Sequence, residues 1–165
     1  MSIYRLFLMR HGEASWATDD IFRPLTERGK RQVQVSGNWM NKKKYIPDAI
    51  FYSPSTRTRE TRLILGAVIA ASIDCQDTVL QSLYECSTAS IKDTLHSRPL
   101  SLNTLLIGHN PGLTDFVNWL CGNDFGIDDN LFDFGTGSLC VLEYTLENQV
   151  ITFGCGNLVD SIHTW

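Results

Sequence analysis

The stretch Ile3-Tyr4-Arg5-Leu6-Phe7-Leu8-Met9-Arg10-His11-Gly12-Glu13-Ala14 decides the fold. Residues 3–9 are dense in apolar and β-prone side chains, as in a buried strand. The run stops at Arg10-His11-Gly12, where a glycine lets the chain turn. A buried strand that ends in a charged, polar turn is the usual frame of a ligand site in an open α/β sheet.

Downstream, two further apolar runs end in the same manner. Residues 49–52 stop at Ser53-Pro54-Ser55-Thr56-Arg57, and residues 103–107 stop at Gly108-His109-Asn110-Pro111-Gly112. Helical patterns lie between them. The first opens with Thr26 as N-cap and Glu27 in the first turn, and carries Val33, Gly37 and Met40 at helical spacing. It closes near Lys42-Lys43-Lys44, whose charge complements the helix dipole. Pro47-Asp48 breaks it. A second helix starts behind Ser53-Pro54 and runs to Ala71 with Ile64, Ala67, Val68 and Ala71 inward. Residues 79–84 are predicted as a short strand, and Ile91 with Leu95 marks a short helix ending before Pro99. Leu113, Phe116, Val117 and Leu120 mark another helix, and residues 138–144 and 149–153 a hairpin around 145–148. Strands alternating with helices predict a three-layer α/β sandwich, with a mainly parallel central sheet covered on both faces. In such a sheet the three polar strand ends converge.

Composition bounds the rest. A chain of 165 residues, 43% hydrophobic and 19% charged, can bury one core, so a single domain over residues 1–165 is expected. A net charge of -4 and a pI near 5.5 offer no global attraction for nucleic acid. Cys75, Cys86, Cys121, Cys140 and Cys155 contain no C-x-x-C pair, which disfavours both a zinc site and a disulfide framework and suits a reducing compartment. The apolar part of the N-terminal segment is too short for a secretory signal, is interrupted by Arg5, and no other stretch spans a bilayer. A cytoplasmic protein is expected.

Together the three strand ends supply Arg10, Arg57, His11 and His109. Arginine grips phosphate oxygens through a bidentate fork, and a neutral imidazole is a nucleophile, so the set suits a phosphoryl group. It does not suit a hard metal, which takes carboxylates. Taken singly, each residue has a plainer explanation: a hydrogen-bonded structural histidine, a solvated arginine, a glycine that only turns the chain. Their joint placement favours chemistry.

The blocks L-M-R-H-G-E-A, S-P-x-x-R-x-x-x-T (residues 53–61) and I-G-H-N-P-G resemble the signatures of the histidine phosphatase superfamily, which has the phosphoglycerate mutase-like fold. The R-P-L-T-x-x-G block (23–29) and the T-G-S-L-C-V-L-E tail (136–143) resemble, within it, the SixA-type phosphohistidine phosphatase group. The resemblance implies that His11 is the nucleophile that becomes phosphorylated, that Arg10 and Arg57 bind the transferred oxygens and that His109 is the second pocket histidine. It puts Glu85 where a carboxylic acid protonates the leaving oxygen; read alone, Glu85 equally fits a solvated loop carboxylate. Glu13 is a weaker rival. No metal or other cofactor is implied.

Between residues 52 and 108 there is no insertion large enough for a lid, which implies an open site. An open site favours phosphohistidine on a partner protein as substrate. The competing readings are a phosphatase for a small phosphorylated metabolite and a non-catalytic phosphate-binding module. Around the site, Ser53 reads as a helix cap, Asn110 as a hydrogen-bond partner of the backbone near His109, and Thr136 with Gly137 as backbone amides lining the pocket. Trp16 is expected near its mouth, while His96 and His163 carry no role.

Overall fold

In the computed structural model, which describes residues 2–71, 74–97, 101–123 and 130–165, strand β1 (Tyr4–Arg10) is an interior strand of a six-stranded sheet. It pairs in parallel with β4 (Asn103–Gly108) and antiparallel with β5 (Leu139–Tyr144). Strand β2 (Ala49–Tyr52) lies parallel between β4 and the edge strand β3 (Gln76–Val79), and β6 (Gly156–Ile162) closes the far edge antiparallel to β5. The order is β3-β2-β4-β1-β5-β6.

Alternation along β1 divides its side chains between two cores. Leu6 and Leu8 join one with Phe51 and Leu106, beneath α3 (Thr88–His96) and α4 (Gly112–Leu120). Phe7 and Met9 join the other with Ile50, Leu105 and Ile107, beneath α1 (Glu27–Lys43) and α2 (Thr56–Val68). Both sheet faces are therefore covered, as parallel strands require. Thr26 caps α1 by accepting from the Gly29 N–H at 2.9 Å.

Register fixes where the site forms. Arg10 stands opposite Gly108, and Tyr52 opposite Ile107, so His11, Ser53 and His109 leave the sheet at one level along one edge. Glycines let the connections pass closely. A Cβ on Gly29 would lie 2.1 Å from the Glu13 carbonyl oxygen, and one on Gly12 would lie 2.6 Å from that of Gly29. The turn after β1 thus rests directly on the first turn of α1.

Three local expectations change. Residues 79–84 do not form a strand: β3 lies at Gln76–Val79, and a 3-10 turn at Gln81–Leu83 buries Leu83. The edge strand is polar, so the apolar signal came from the turn behind it. The antiparallel partner of β5 is Gly156–Ile162, not residues 149–153, where only a tight turn with a Glu147–Val150 bridge occurs. Helix α2 stops at Val68 rather than Ala71 because Asn41 of α1 takes over its end. That side chain donates to the Val68 carbonyl and accepts from the Ala70 N–H. Pro99 lies outside the described residues.

Gly29→Ala should lower unfolding stability by about 2 kcal/mol through backbone overlap. Gly66→Ala, on the exposed face of α2 where only the end of the Arg62 side chain is near, should raise it by about 0.5–1 kcal/mol. Urea denaturation of both variants checks the opposite signs.

Candidate active site

His11 sits at the floor of a cavity of about 640 Å3 and is only 7% exposed. Its Nδ1 lies 2.7 Å from the Gly12 carbonyl oxygen. A carbonyl only accepts, so Nδ1 carries the proton and Nε2 keeps its lone pair. Burial pushes the imidazole down to about 3, with His109, Arg57 and Arg10 adding repulsion, against the opposing effect of the Gly12 bond. His11 is therefore neutral near pH 7, with the ring's lone pair on Nε2. Its backbone is held as well: the Gly137 N–H donates to the His11 carbonyl at 2.8 Å, and the Gly12 N–H donates to Thr61 Oγ1 at 3.1 Å.

Arg57 meets that nitrogen directly, its Nε–H donating to His11 Nε2 at 3.3 Å. Its other two nitrogens bind Asp20, Nη1 to the backbone carbonyl at 2.7 Å and Nη2 to Oδ2 at 3.0 Å. Tyr84 donates its hydroxyl to the same Oδ2 at 2.7 Å. The Tyr84 bond, then Arg57 and Arg23, hold the Asp20 carboxyl down at about 2. Arg10 donates through Nη1 to the Phe134 carbonyl at 2.8 Å, while its buried Nε has no partner among the described residues. Burial and the nearby Arg57 charge lower its pKa. An unpartnered, buried guanidinium N–H beside a second guanidinium favours an anion with several acceptor oxygens.

His109 stands beside His11 with ring centroids 5.2 Å apart. Its Nε2 lies 2.7 Å from Ser53 Oγ, which also contacts Thr58 Oγ1 at 2.8 Å and Ser55 Oγ at 3.1 Å. Burial, then Arg57, push His109 down to about 4, so it too is neutral at pH 7. Ser53 thus orients His109. The cap of α2 is Ser55, whose side chain accepts from the Thr58 N–H, so the expectation that Ser53 caps this helix is corrected.

The remaining expectations divide. Glu85 lines the cavity, in a left-handed backbone conformation (φ 52°). Glu13 lines it too but pairs with Arg28 at 2.8 Å and accepts from Thr26 Oγ1. Thr136 is on the wall, whereas the Gly137 amide is spent on the Arg10 and His11 carbonyls and cannot serve a ligand. Asn110 binds Thr114 and the Phe134 carbonyl rather than the backbone around His109. Trp16 lies beside the mouth, lining an adjoining cavity that shares Asp20 and Arg23 with the main one. Asp20 and Tyr84 were not singled out from sequence. Asp20 lies in a polar loop with no periodicity, and only its proximity to Arg57 in the fold marks it. No group of three or more His, Cys, Asp or Glu side chains that could hold a metal occurs among the described residues, and no helix among them is long and apolar enough to cross a membrane.

The family model of the histidine phosphatase superfamily, branch 1, matches residues 6–91, which contain His11, Arg57 and Glu85. The chain belongs to the histidine phosphatase superfamily. Among curated relatives of this phosphatase, an uncharacterized protein of Mycobacterium tuberculosis is 26% identical over 158 residues, covering 92% of this chain and 96% of that one. The phosphohistidine phosphatase SixA of Escherichia coli is 26% identical over 121 residues, 71% of this chain and 74% of its own. Among solved structures, a putative SixA from Nakamurella multipartitia superposes with a TM-score of 0.81 at 26% identity, covering 99% and 97% of the two chains. A protein histidine phosphatase SixA complexed with tungstate gives 0.76 at 24% identity, with 96% of each chain covered. The expected phosphoglycerate mutase-like α/β architecture and the phosphatase class are both borne out.

Nitrogen NMR of the imidazoles should find His11 protonated at Nδ1 only, with no titration of His11 or His109 between pH 8 and 5. A transition near the ordinary value of 6.5 would contradict the buried neutral pair. Both rings bind protons more readily unfolded than folded. Stability is therefore complete above about 6.5 and falls as pH drops toward the folded values of about 3 and 4, so the urea midpoint should decrease from pH 7 to pH 5.

Proposed function

We propose that this superfamily phosphatase removes phosphate from phosphohistidine on a partner protein, through a phosphorylated His11 and without a metal. The observation that carries the reading is the His11 tautomer: neutral, Nδ1 tied to Gly12, Nε2 directed at the Arg57 guanidinium beside the unpartnered Arg10 Nε. On arrival of the phosphoryl group, Arg57 Nε–H transfers from His11 Nε2 to a phosphoryl oxygen, Arg10 Nε–H takes another, and the Nε2 lone pair is released. Nε2 then forms a bond to phosphorus while the bond to the leaving nitrogen breaks. The electron pair goes to the leaving ring nitrogen, and the substrate imidazole, which enters protonated on its other nitrogen, departs neutral. Water next attacks phosphorus from the vacated side and passes a proton to a phosphoryl oxygen, the P–Nε2 bond breaks with its electron pair returning to Nε2, and dihydrogen phosphate leaves with His11 neutral again.

His109, its Nε2 engaged by Ser53, has Nδ1 left for the phosphoryl oxygens. Glu85 lines the cavity and is the proton donor for leaving groups more basic than imidazole. Two properties of relatives support the substrate class. The Escherichia coli relative is named a phosphohistidine phosphatase, and a SixA structure was obtained with tungstate, a tetrahedral oxyanion. A cytoplasmic, one-domain protein without a cofactor completes the reading.

The test is phosphate release from a phosphohistidine-bearing phosphotransfer protein in excess chelator, with His11→Ala and an aryl phosphate in parallel. Rapid wild-type release, lost by 1000-fold or more in the variant (about 4 kcal/mol), with slower aryl phosphate hydrolysis, is expected. Hydrolysis of the ester alone would redirect the assignment to small metabolites. Phosphate binding without turnover, unchanged in His11→Ala, would make the protein a binding module. Asp20→Asn, which weakens the hold on Arg57, should lower kcat/KM about tenfold with either substrate, and steady-state kinetics check it.

A further inference from the structure

The loop that supplies Asp20 also presents Trp16 to solvent, 82% exposed, and the indole N–H has no partner among the described residues. The loop is nonetheless firmly held. At its base the Ser15 N–H donates to the Pro24 carbonyl at 2.8 Å, Arg23 Nε donates to the Ser15 carbonyl at 2.9 Å, and Ala14 bridges Leu25. Further along, Asp20 is clamped by Arg57 and Tyr84. An exposed indole on a pinned loop costs little further ordering when it is covered, the condition under which a tryptophan contributes most to binding.

Trp16, Ala17 and Thr18 line a cavity of about 390 Å3 whose remaining walls, Asp20 and Arg23, are also walls of the catalytic cavity. The two hollows thus adjoin across Asp20 and Arg23. A free phosphorylated amino acid needs only the inner hollow. A phosphohistidine projecting from a folded domain brings with it the surface around that side chain, which needs a seat outside the inner hollow, and the hollow that shares its Asp20 and Arg23 walls offers one. The pinned loop also joins the two hollows chemically, since Asp20 in the shared wall orients Arg57 in the inner one.

We propose that the Trp16 hollow is the docking surface for the protein that carries the phosphohistidine, receiving an apolar side chain exposed next to the phosphorylated residue. The inference rests on the substrate reading above and adds the surface that distinguishes a protein substrate from a small one with the same leaving group. Trp16 stays outside the chemistry: it supplies affinity for the carrier and touches neither phosphorus nor His11.

The experiment compares kcat/KM for a phosphohistidine-bearing phosphotransfer protein with that for free phosphohistidine, in wild type, Trp16→Ala, Trp16→Phe and Leu63→Ala. Leu63 is the control, an exposed apolar residue on α2 that lines a different hollow. Trp16→Ala should lower kcat/KM for the protein substrate about tenfold or more, through KM, while free phosphohistidine stays within about twofold. Trp16→Phe should restore much of the loss, and Leu63→Ala should change neither substrate. Equal effects on both substrates, no effect on either, or a wild type that does not prefer the protein-borne group would overturn the docking surface and leave the phosphohistidine reading standing. Self-association of the wild type that Trp16→Ala abolishes, seen by sedimentation, would overturn it in favour of a second copy of this chain. Hydrolysis of neither substrate would remove the substrate reading itself, and the docking surface with it.

Discussion

Two guanidinium groups held next to each other in a mostly buried pocket are the constraint around which the rest is arranged. Arg57 is 7% exposed, and among the described residues Asp20 is the only carboxylate on it and the Phe134 carbonyl the only partner of the Arg10 guanidinium. Without an anion this is an unfavourable arrangement, since each charge has lost water and repels the other. It persists because the scaffold leaves the side chains little alternative. Phe134 fixes one, the Asp20 loop fixes the other, and Thr61 ties the turn after β1 to the helix that bears Arg57. Burial in that pocket, with the same repulsion added to it, keeps both imidazoles neutral, so one environment serves both the grip on a phosphoryl group and the availability of a lone pair.

The scaffold meets that condition at short range. Register places the ends of β1, β2 and β4 at one level, and close glycine contacts let α1 and the turn after β1 share a surface. None of the four central residues depends on a long flexible connection. His11 follows β1 and His109 follows β4 immediately, Arg10 ends β1, and Arg57 is in the first turn of α2. Rigid elements thus bring the pocket together before any ligand arrives.

What could be read in the sequence was whatever local pattern dictates. The run from Tyr4 to Met9 is apolar because it is buried on two faces, and the Thr26 cap is visible because capping involves neighbours three residues apart. His11, Arg10, Arg57 and His109 stood out through their places at strand ends. What escaped was non-local. Asp20 gains its meaning from a guanidinium 37 residues away, and Ser53, besides touching Thr58 of the adjacent helix, binds an imidazole 56 residues away. β3 and β6 were misplaced because edge strands wet on one side carry a weak apolar signal, and a nearby turn offered a stronger one.

The hydrogen bond from Arg57 Nε–H to His11 Nε2 has a consequence for the idle protein. An uncovered imidazole nitrogen is a scavenger, open to stray alkylating agents and to soft metal ions that would poison it. Here the lone pair is capped by a guanidinium that Asp20 holds in place through its other two nitrogens. The cap lifts only for a ligand that offers arginine a better acceptor than nitrogen, namely an oxyanion. Reactivity is thereby licensed by the chemical identity of the visitor, and the vacant pocket is kept inert by the same arginine that makes the occupied one work.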